Sequence, residues 1–224
     1  MDHQQIIKEL KSFDTPTISD ALDSLNIDGG LSGIVPRNTS ADICGTAFTV
    51  EYRDPSEEEQ QVAKAADFID EAEEGSVVIL ANNGRTDCTV WGNILTQLAI
   101  QKKIAGTVID GACRDIDYIR ETEYAMFSTA VYMKTGKGRT KKTAHQVPVT
   151  ISGTVIQPND FVRADQNGVI VIPQDVAEEV IKRSRAIEET EEKIKEAVSR
   201  GVHLKEARDM YKYHRPWENE VTAK

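Results

Sequence analysis

The chain has 224 residues, and 27 Lys and Arg against 37 Asp and Glu give it a formal net charge of −10. A mean hydropathy of −0.43 and the lack of any apolar run near ~18 residues exclude a membrane span. The acidic balance disfavours a nucleic-acid binder, whose affinity rests on Lys and Arg neutralising phosphates. Three widely spaced cysteines (Cys44, Cys88 and Cys113) show no CxxC or finger spacing, and the charged opening MDHQQIIKELKSFD fits neither a secretory nor a transit leader. A reducing cytoplasm is the expected setting.

In chain order, Ile6, Ile7 and Leu10 space like one apolar helical stripe. Thr15 is placed to cap a second helix with Pro16 at its first position, and Ile18, Ala21, Leu22 and Leu25 continue it to Gly29-Gly30. Ala47-Phe48-Thr49-Val50 alternates like a short strand, and Asp54-Pro55 followed by glutamates predicts a capped helix running to about Glu74, ended by Gly75. Val77-Val78-Ile79-Leu80 is a solid apolar strand, followed by the loop Asn82-Asn83-Gly84-Arg85. Next come a helix from about Asn93 to Lys103 and a second apolar strand, Thr107-Val108-Ile109, ending at Asp110-Gly111. Strand, loop, helix and strand in this order make a βαβ unit with a parallel pair. From Val147 to Pro173, turn residues punctuate short Val- and Ile-rich segments as in a small β meander, and Gln174 to about Arg200 is charged and helical, closed by Gly201. The pattern is α/β, and no linker divides it. A single domain over 1–224 is expected, with N-terminal helices in 1–28, a core over about 40–173, and a C-terminal helix and tail over 174–224.

Ligands of open α/β folds collect where loops leave the carboxyl ends of parallel strands. Two such loops are expected here, 81–92 and 110–116, and the second carries Arg114 beside Asp115. An arginine holds a small carboxylate with two parallel hydrogen bonds, and an aspartate is a hard oxygen ligand for Mg²⁺ or Mn²⁺. Together they suit a 2-oxo acid presented to a divalent ion. The same pair also reads as a surface ion pair, or as a cap for a helix beginning near Ile116. Gly84 can supply a positive φ that brings backbone amides to a ligand, and Arg85 suits a second carboxylate or a phosphate; a plain turn with an exposed arginine is the other reading. Cys113, next to Arg114, reads either as a thiol of lowered pKa or as a small buried residue. Lys134, Lys137, Arg139, Lys141 and Lys142 form a local basic patch, at a pocket mouth or simply solvated.

The stretch W-G-N-I-L-T-x-L-A-x-x-K-x-I-A-G-T-V-I-D-G-A-C-R-D, from Trp91 to Asp115, resembles the signature of the class II pyruvate aldolase family. That family includes 4-hydroxy-4-methyl-2-oxoglutarate aldolases, which also decarboxylate oxaloacetate, and the ribonuclease E activity regulator A proteins. The likeness extends to Thr15–Leu22, Gly45–Val50 and the segment from Val147 to Pro173, which is nearly the whole chain.

The resemblance implies a β/β/α sandwich like the phosphohistidine swivelling domain, assembled as a homotrimer or homohexamer with its pocket between subunits. It implies a Mg²⁺- or Mn²⁺-dependent lyase on a small anionic 2-oxo acid, cleaving an aldol to pyruvate or decarboxylating oxaloacetate. Arg114 would bind the pyruvate carboxylate together with the backbone amides of Ile94 and Leu95, which follow Gly92 and Asn93 at a helix start. Asp115 would ligate the metal; Asn83, Gly84 and Arg85 would line the pocket; and Glu191 would reach in from a neighbouring subunit. The family's aldolases carry an acidic residue, twenty intervening residues and then Arg-Asp, whereas this chain has Asn93 at the acidic position. Its amide oxygen can orient a metal-bound water but cannot act as a base or carry negative charge. Two other readings stand beside the lyase: a non-catalytic regulator of an RNA-degrading enzyme, for which Asn93 argues and the retained Asp115 does not, and a metal-dependent sugar-acid dehydratase or epimerase.

Overall fold

The computed structural model describes residues 1–61 and 67–218. Helix α1 (His3–Ser12) starts on a capping box in which the Asp2 carboxylate accepts from the Gln5 amide, and it buries Ile6 and Leu10. Helix α2 (Thr15–Asp23) is capped by Asp14, whose carboxylate accepts from Thr17 N at 2.9 Å. The expected cap, Thr15, is instead the first helical residue. Its amide and hydroxyl both donate to Asp165, each at 2.8 Å. The longer side chain one position earlier reaches the free amides, and Thr15 is drawn away by a partner 150 residues on.

The strands are β1 (Val35–Pro36), β2 (Ile43–Arg53), β3 (Val77–Trp91), β4 (Gly106–Cys113), β5 (Met126–Val131), β6 (Lys141–His145), β7 (Val149–Ile151), β8 (Thr154–Ile156), β9 (Phe161–Asp165) and β10 (Gly168–Ile172). Helices α3 (Asn93–Gln101) and α4 (Ile116–Glu121) follow β3 and β4, while α5 (Ala177–Ser199) and α6 (Leu204–Met210) close the described chain. β2 to β5 are mutually parallel, and the sheet order is β1-β5-β4-β3-β2-β9-β10, with β6 pairing the second half of β2 and β7-β8 forming a separate hairpin. Strand β2 joins two pairings: Ile43 to Thr46 lie antiparallel to β9, and Ala47 to Glu51 lie parallel to β3. Gly45 sits at this junction, where a Cβ would fall 2.3 Å from the Gly75 carbonyl oxygen. The fold is mixed α/β, as the βαβ pattern requires.

The apolar run of β3 is buried on both faces, as parallel strands require. Val77 and Ile79 pack with Val108, Phe127, Val162 and Val171, while Val78 and Leu80 pack with Phe68, Ile109 and Met126 beneath α3 and α4. A third cluster seats α1, α2 and α5 against Phe161, Ile170 and Ile172.

The helix expected from Asp54 to Glu74 is absent among the described residues; two short 3-10 turns, Glu59–Gln61 and Asp67–Glu71, stand there, and 62–66 lie outside the described residues. The acidic run is held from the side rather than along a helix axis. Glu59 pairs with Arg53 and Lys141, Asp67 pairs with Lys142 at 2.7 Å, and Phe68 and Ile69 turn into the core. The expected loop 81–92 also differs, since β3 continues to Trp91. Ala81 pairs with Asp110, Arg85 with Gly111, Thr89 with Ala112 and Trp91 with Cys113, so β3 advances ten positions while β4 advances three. Successive bulges absorb the excess chain and bring β3 back to β4 at the site.

Candidate functional site

Two chain turns lie side by side at the carboxyl end of the parallel strands. One runs from Trp91 through Gly92 into α3; the other runs from Cys113 through Arg114 and Asp115 into α4. They are tied together by the Trp91–Cys113 pairing and by the Arg114 amide, which donates to the Trp91 carbonyl at 3.0 Å.

Asp115 occupies the N-cap position of α4, but its side chain makes no capping bond there. Its backbone adopts the left-handed region (φ 57°, ψ 43°), a costly conformation for a non-glycine residue that tends to be retained at functional sites. This turn aims the carboxylate at the other arm, where Oδ2 accepts from the Asn93 amide at 2.8 Å. Arg114 Nε lies 3.7 Å from the same oxygen. Asp115 therefore anchors the start of α3 rather than α4. Gly92 makes this approach possible: a Cβ there would fall 2.7 Å from Asp115 Oδ2 and 3.1 Å from Arg114 Nε.

The N-cap of α3, Gly92, has no side chain to offer, and Asp115 takes the first amide of the helix, that of Asn93. The amides of Ile94 and Leu95, in its first turn, have no carbonyl a turn earlier in the helix to bond. They lie at the positive end of the helix dipole, where an anion is favoured, and the half-buried Arg114 guanidinium packs against Gly92, the residue before the helix. Asn93 is exposed at the same rim, and Ile94, 77% exposed, projects from it. Arg114, Asp115, Gly92, Asn93, Ile94 and Leu95 are thus brought together.

Among the described residues no group of three or more His, Cys, Asp or Glu side chains converges as a dry metal cage would require. The residues here that carry oxygen donors are Asp115, with its carboxylate, and the adjoining Asn93, whose side chain ends in an amide. That set fits a hard ion that keeps most of its water and takes its remaining ligands from a substrate, as Mg²⁺ commonly does.

The 82–87 segment is held in its own network. Gly84 has the expected positive φ (65°), but its amide donates to Asp110 Oδ2 at 2.8 Å. Burial pushes the Asp110 carboxyl above its ordinary range, against the pull of the Gly84 bond. Asn83 also has a positive φ, and its Nδ2 donates to the Tyr52 carbonyl at 3.1 Å. Arg85 is neither exposed nor free. It holds Asp87 through Nε and Nη2 at 3.0 and 2.8 Å, Asp54 through Nη1 at 2.5 Å, and the Arg139 carbonyl. The basic patch is likewise engaged through Lys141 and Lys142, which clamp Glu59 and Asp67.

Cys113 is fully buried at the end of β4, and burial raises its thiol pKa; the expectation of a lowered one does not hold. Glu191 lies on α5 among Glu188, Glu192, Lys195 and the Asp14 cap of α2. Asp110 was missed in the sequence, because only the bulged path of β3 brings Gly84 to it.

Residues 15–171 match the RraA-like family, described as Aldolase/RraA. A Legionella pneumophila protein, DlpA, is 42% identical over 212 residues, covering 95% of this chain and 34% of that protein, so the chain spans about a third of that relative's length. A Halalkalibacterium halodurans protein provisionally named a 4-hydroxy-4-methyl-2-oxoglutarate aldolase is 32% identical over 202 residues, covering 88% of this chain and 90% of that one. The crystal structure of an uncharacterized protein from Pseudomonas syringae pv. tomato superposes with a TM-score of 0.83 at 44% identity, covering 92% of this chain and 97% of that one. Among the described residues no helix is long and apolar enough to cross a membrane.

Proposed function

The chain belongs to the RraA-like family, described as Aldolase/RraA, and from that premise we propose that it is a divalent-metal-dependent lyase acting on a small 2-oxo acid. The reaction is retro-aldol cleavage releasing pyruvate, or decarboxylation of oxaloacetate. The observation that carries this reading is the convergence of Arg114 and the start of α3, with its Ile94 and Leu95 amides, beside Asp115. Arg114 and the Ile94 and Leu95 amides bind the carboxylate and fix the orientation of the 2-oxo group. Asp115 and the Asn93 amide oxygen would hold Mg²⁺ or Mn²⁺, which when bound supplies Lewis-acid polarisation of the keto group. Asn93, neutral at every working pH, takes no proton from the substrate; it orients water through its amide.

The same reading includes the assembly the resemblance implies, a homotrimer or homohexamer with Glu191 contributed across the interface, and a β/β/α sandwich like the phosphohistidine swivelling domain. It is tested by titrating Mn²⁺ into wild type and Asp115→Ala with pyruvate present. The expected result is saturable binding in the wild type that Asp115→Ala abolishes. Unchanged Mn²⁺ binding and unchanged metal-dependent turnover in Asp115→Ala would overturn the assignment.

A further inference from the structure

The anion site is assembled from two separate turns, so something must fix their spacing. Three side chains behind it make that connection, and all three are buried: Thr89 at 5% exposure, Trp91 at 2% and Thr96 at 0%. The Thr89 hydroxyl lies between the two strand ends. Its one proton serves the carbonyls of Trp91 (2.8 Å) and Ala112 (3.0 Å), and its oxygen accepts from the Trp91 amide at 3.3 Å. Those carbonyls belong to the last residue of β3, before Gly92, and to the penultimate residue of β4, before Cys113-Arg114. The Trp91 carbonyl also accepts from the Arg114 amide. On the far side, the Trp91 indole N–H donates to Thr96 Oγ1 at 2.9 Å, and that hydroxyl donates back to the Gly92 carbonyl at 3.1 Å. The indole is stacked on Tyr124, with ring centroids 6.2 Å apart and planes 6° apart.

One continuous chain of hydrogen bonds therefore runs from the β4 end, through Thr89 and Trp91, to the first turn of α3. All three of its side chains are shut away from solvent. A valine in place of Thr89 would keep the shape of the strand and remove the hydroxyl donor that these two carbonyls share. In a buried network of this kind each bond is strengthened by its neighbours, so loss at one point is felt along the line.

We propose that Thr89 is a positioning residue for the anion site, setting the distance between Arg114 and the α3 amides through Trp91 and Thr96. This rests on the reading of that site as the binding place of a 2-oxo acid. Thr89 touches no substrate; it acts on binding by holding both arms in register. A misplacement of order 1 Å in such a site costs up to about a hundredfold.

The test measures pyruvate affinity with Mg²⁺ present, by calorimetry, for wild type, Thr89→Val and Thr89→Ser, with thermal unfolding of each. The expected result is pyruvate binding at least about tenfold weaker in Thr89→Val, near-wild-type binding in Thr89→Ser, and a cooperative unfolding transition in both. On a Trp217→Phe background, where Trp91 is the one remaining tryptophan, the intrinsic fluorescence should shift in Thr89→Val and return in Thr89→Ser. If Thr89→Val fails to fold, Thr96→Val breaks the same line at its other joint and is expected to weaken pyruvate to a similar degree. Folded Thr89→Val binding pyruvate with wild-type affinity overturns the positioning role while leaving the site intact. A wild type that binds no pyruvate removes the functional reading itself, and this inference with it.

Discussion

Gly92→Ala separates site geometry from fold stability. Its backbone is extended (φ −156°), which alanine adopts without strain, so the effect is steric. The added methyl would stand 2.7 Å from Asp115 Oδ2, and ordinary contact begins near 3.4 Å, so the carboxylate must retreat by about 0.7 Å. If that movement lies along the bond, the 2.8 Å contact from the Asn93 amide stretches to about 3.5 Å and ceases to be a hydrogen bond. A bond to a charged group contributes about 1.5–3 kcal/mol, the lower end applying at this exposed rim, and the glycine-to-alanine change returns about 0.4–1 kcal/mol through the unfolded chain. Net destabilisation is about 1 kcal/mol, or roughly 2–4 °C in Tm. Activity should fall far more, by about a hundredfold, because Asp115 and Arg114 both move. The assay is pyruvate release from oxaloacetate coupled to lactate dehydrogenase, beside thermal unfolding. Gly92→Ala turning over within about threefold of wild type, at unchanged metal response, would refute the placement of the site.

Arg114→Lys keeps the charge but loses the planar fork, so KM for the 2-oxo acid should rise about tenfold or more while the metal-alone affinity stays put, as steady-state kinetics and Mn²⁺ titration would record. Arg163→Met should cost about 1–3 kcal/mol in denaturant unfolding, since this buried guanidinium serves the carbonyls of Phe13, Ile43 and Ala164, while its ion-pair partner Asp42 is half exposed and stays solvated; Arg163 thus ties the N-terminal segment to β9. For Asp165, burial acts to raise the carboxyl pKa, but the bonds from Thr15 and Asn167 outweigh it and the net shift is downward. Its stabilisation is therefore full above the unfolded value of ~3.9 and is lost as pH falls through the lower folded value. Asp165→Asn should accordingly have a Tm below wild type at pH ~6, with the gap closing toward pH ~2.

Local chemistry made much of this readable. The spacing of Ile6 and Leu10, the solid runs Val77–Leu80 and Thr107–Ile109, and the turn residues after Val147 each report a period or a punctuation that neighbours cannot override. The position of the Arg114-Asp115 pair, just past the end of a parallel strand, was legible because the strand and the helix after it are both written in local periodicity. What was not legible depended on partners far along the chain. Thr15 lost its cap role to Asp14 because Asp165 claims it. The glutamates after Pro55 read as a helix start until Lys141 and Lys142 clamp Glu59 and Asp67 from β6. Arg85 read as a ligand group, since nothing in the sequence shows that Asp54 and Asp87 close around it. The bulged return of β3, which places Thr89 behind the site, leaves no periodic signal.

The central claim is that Arg114, Asp115 and the start of α3 form a working 2-oxo-acid site. It is tested most directly by pyruvate release from oxaloacetate and from 4-hydroxy-4-methyl-2-oxoglutarate with Mg²⁺ or Mn²⁺, against EDTA and against the same mixture without protein. The account predicts metal-dependent turnover above the protein-free control in the wild type, and its loss in both Arg114→Ala and Asp115→Ala. Wild-type protein that releases no more pyruvate than the control, with Mn²⁺ binding absent as well, would contradict it and leave the regulator reading of this family in its place.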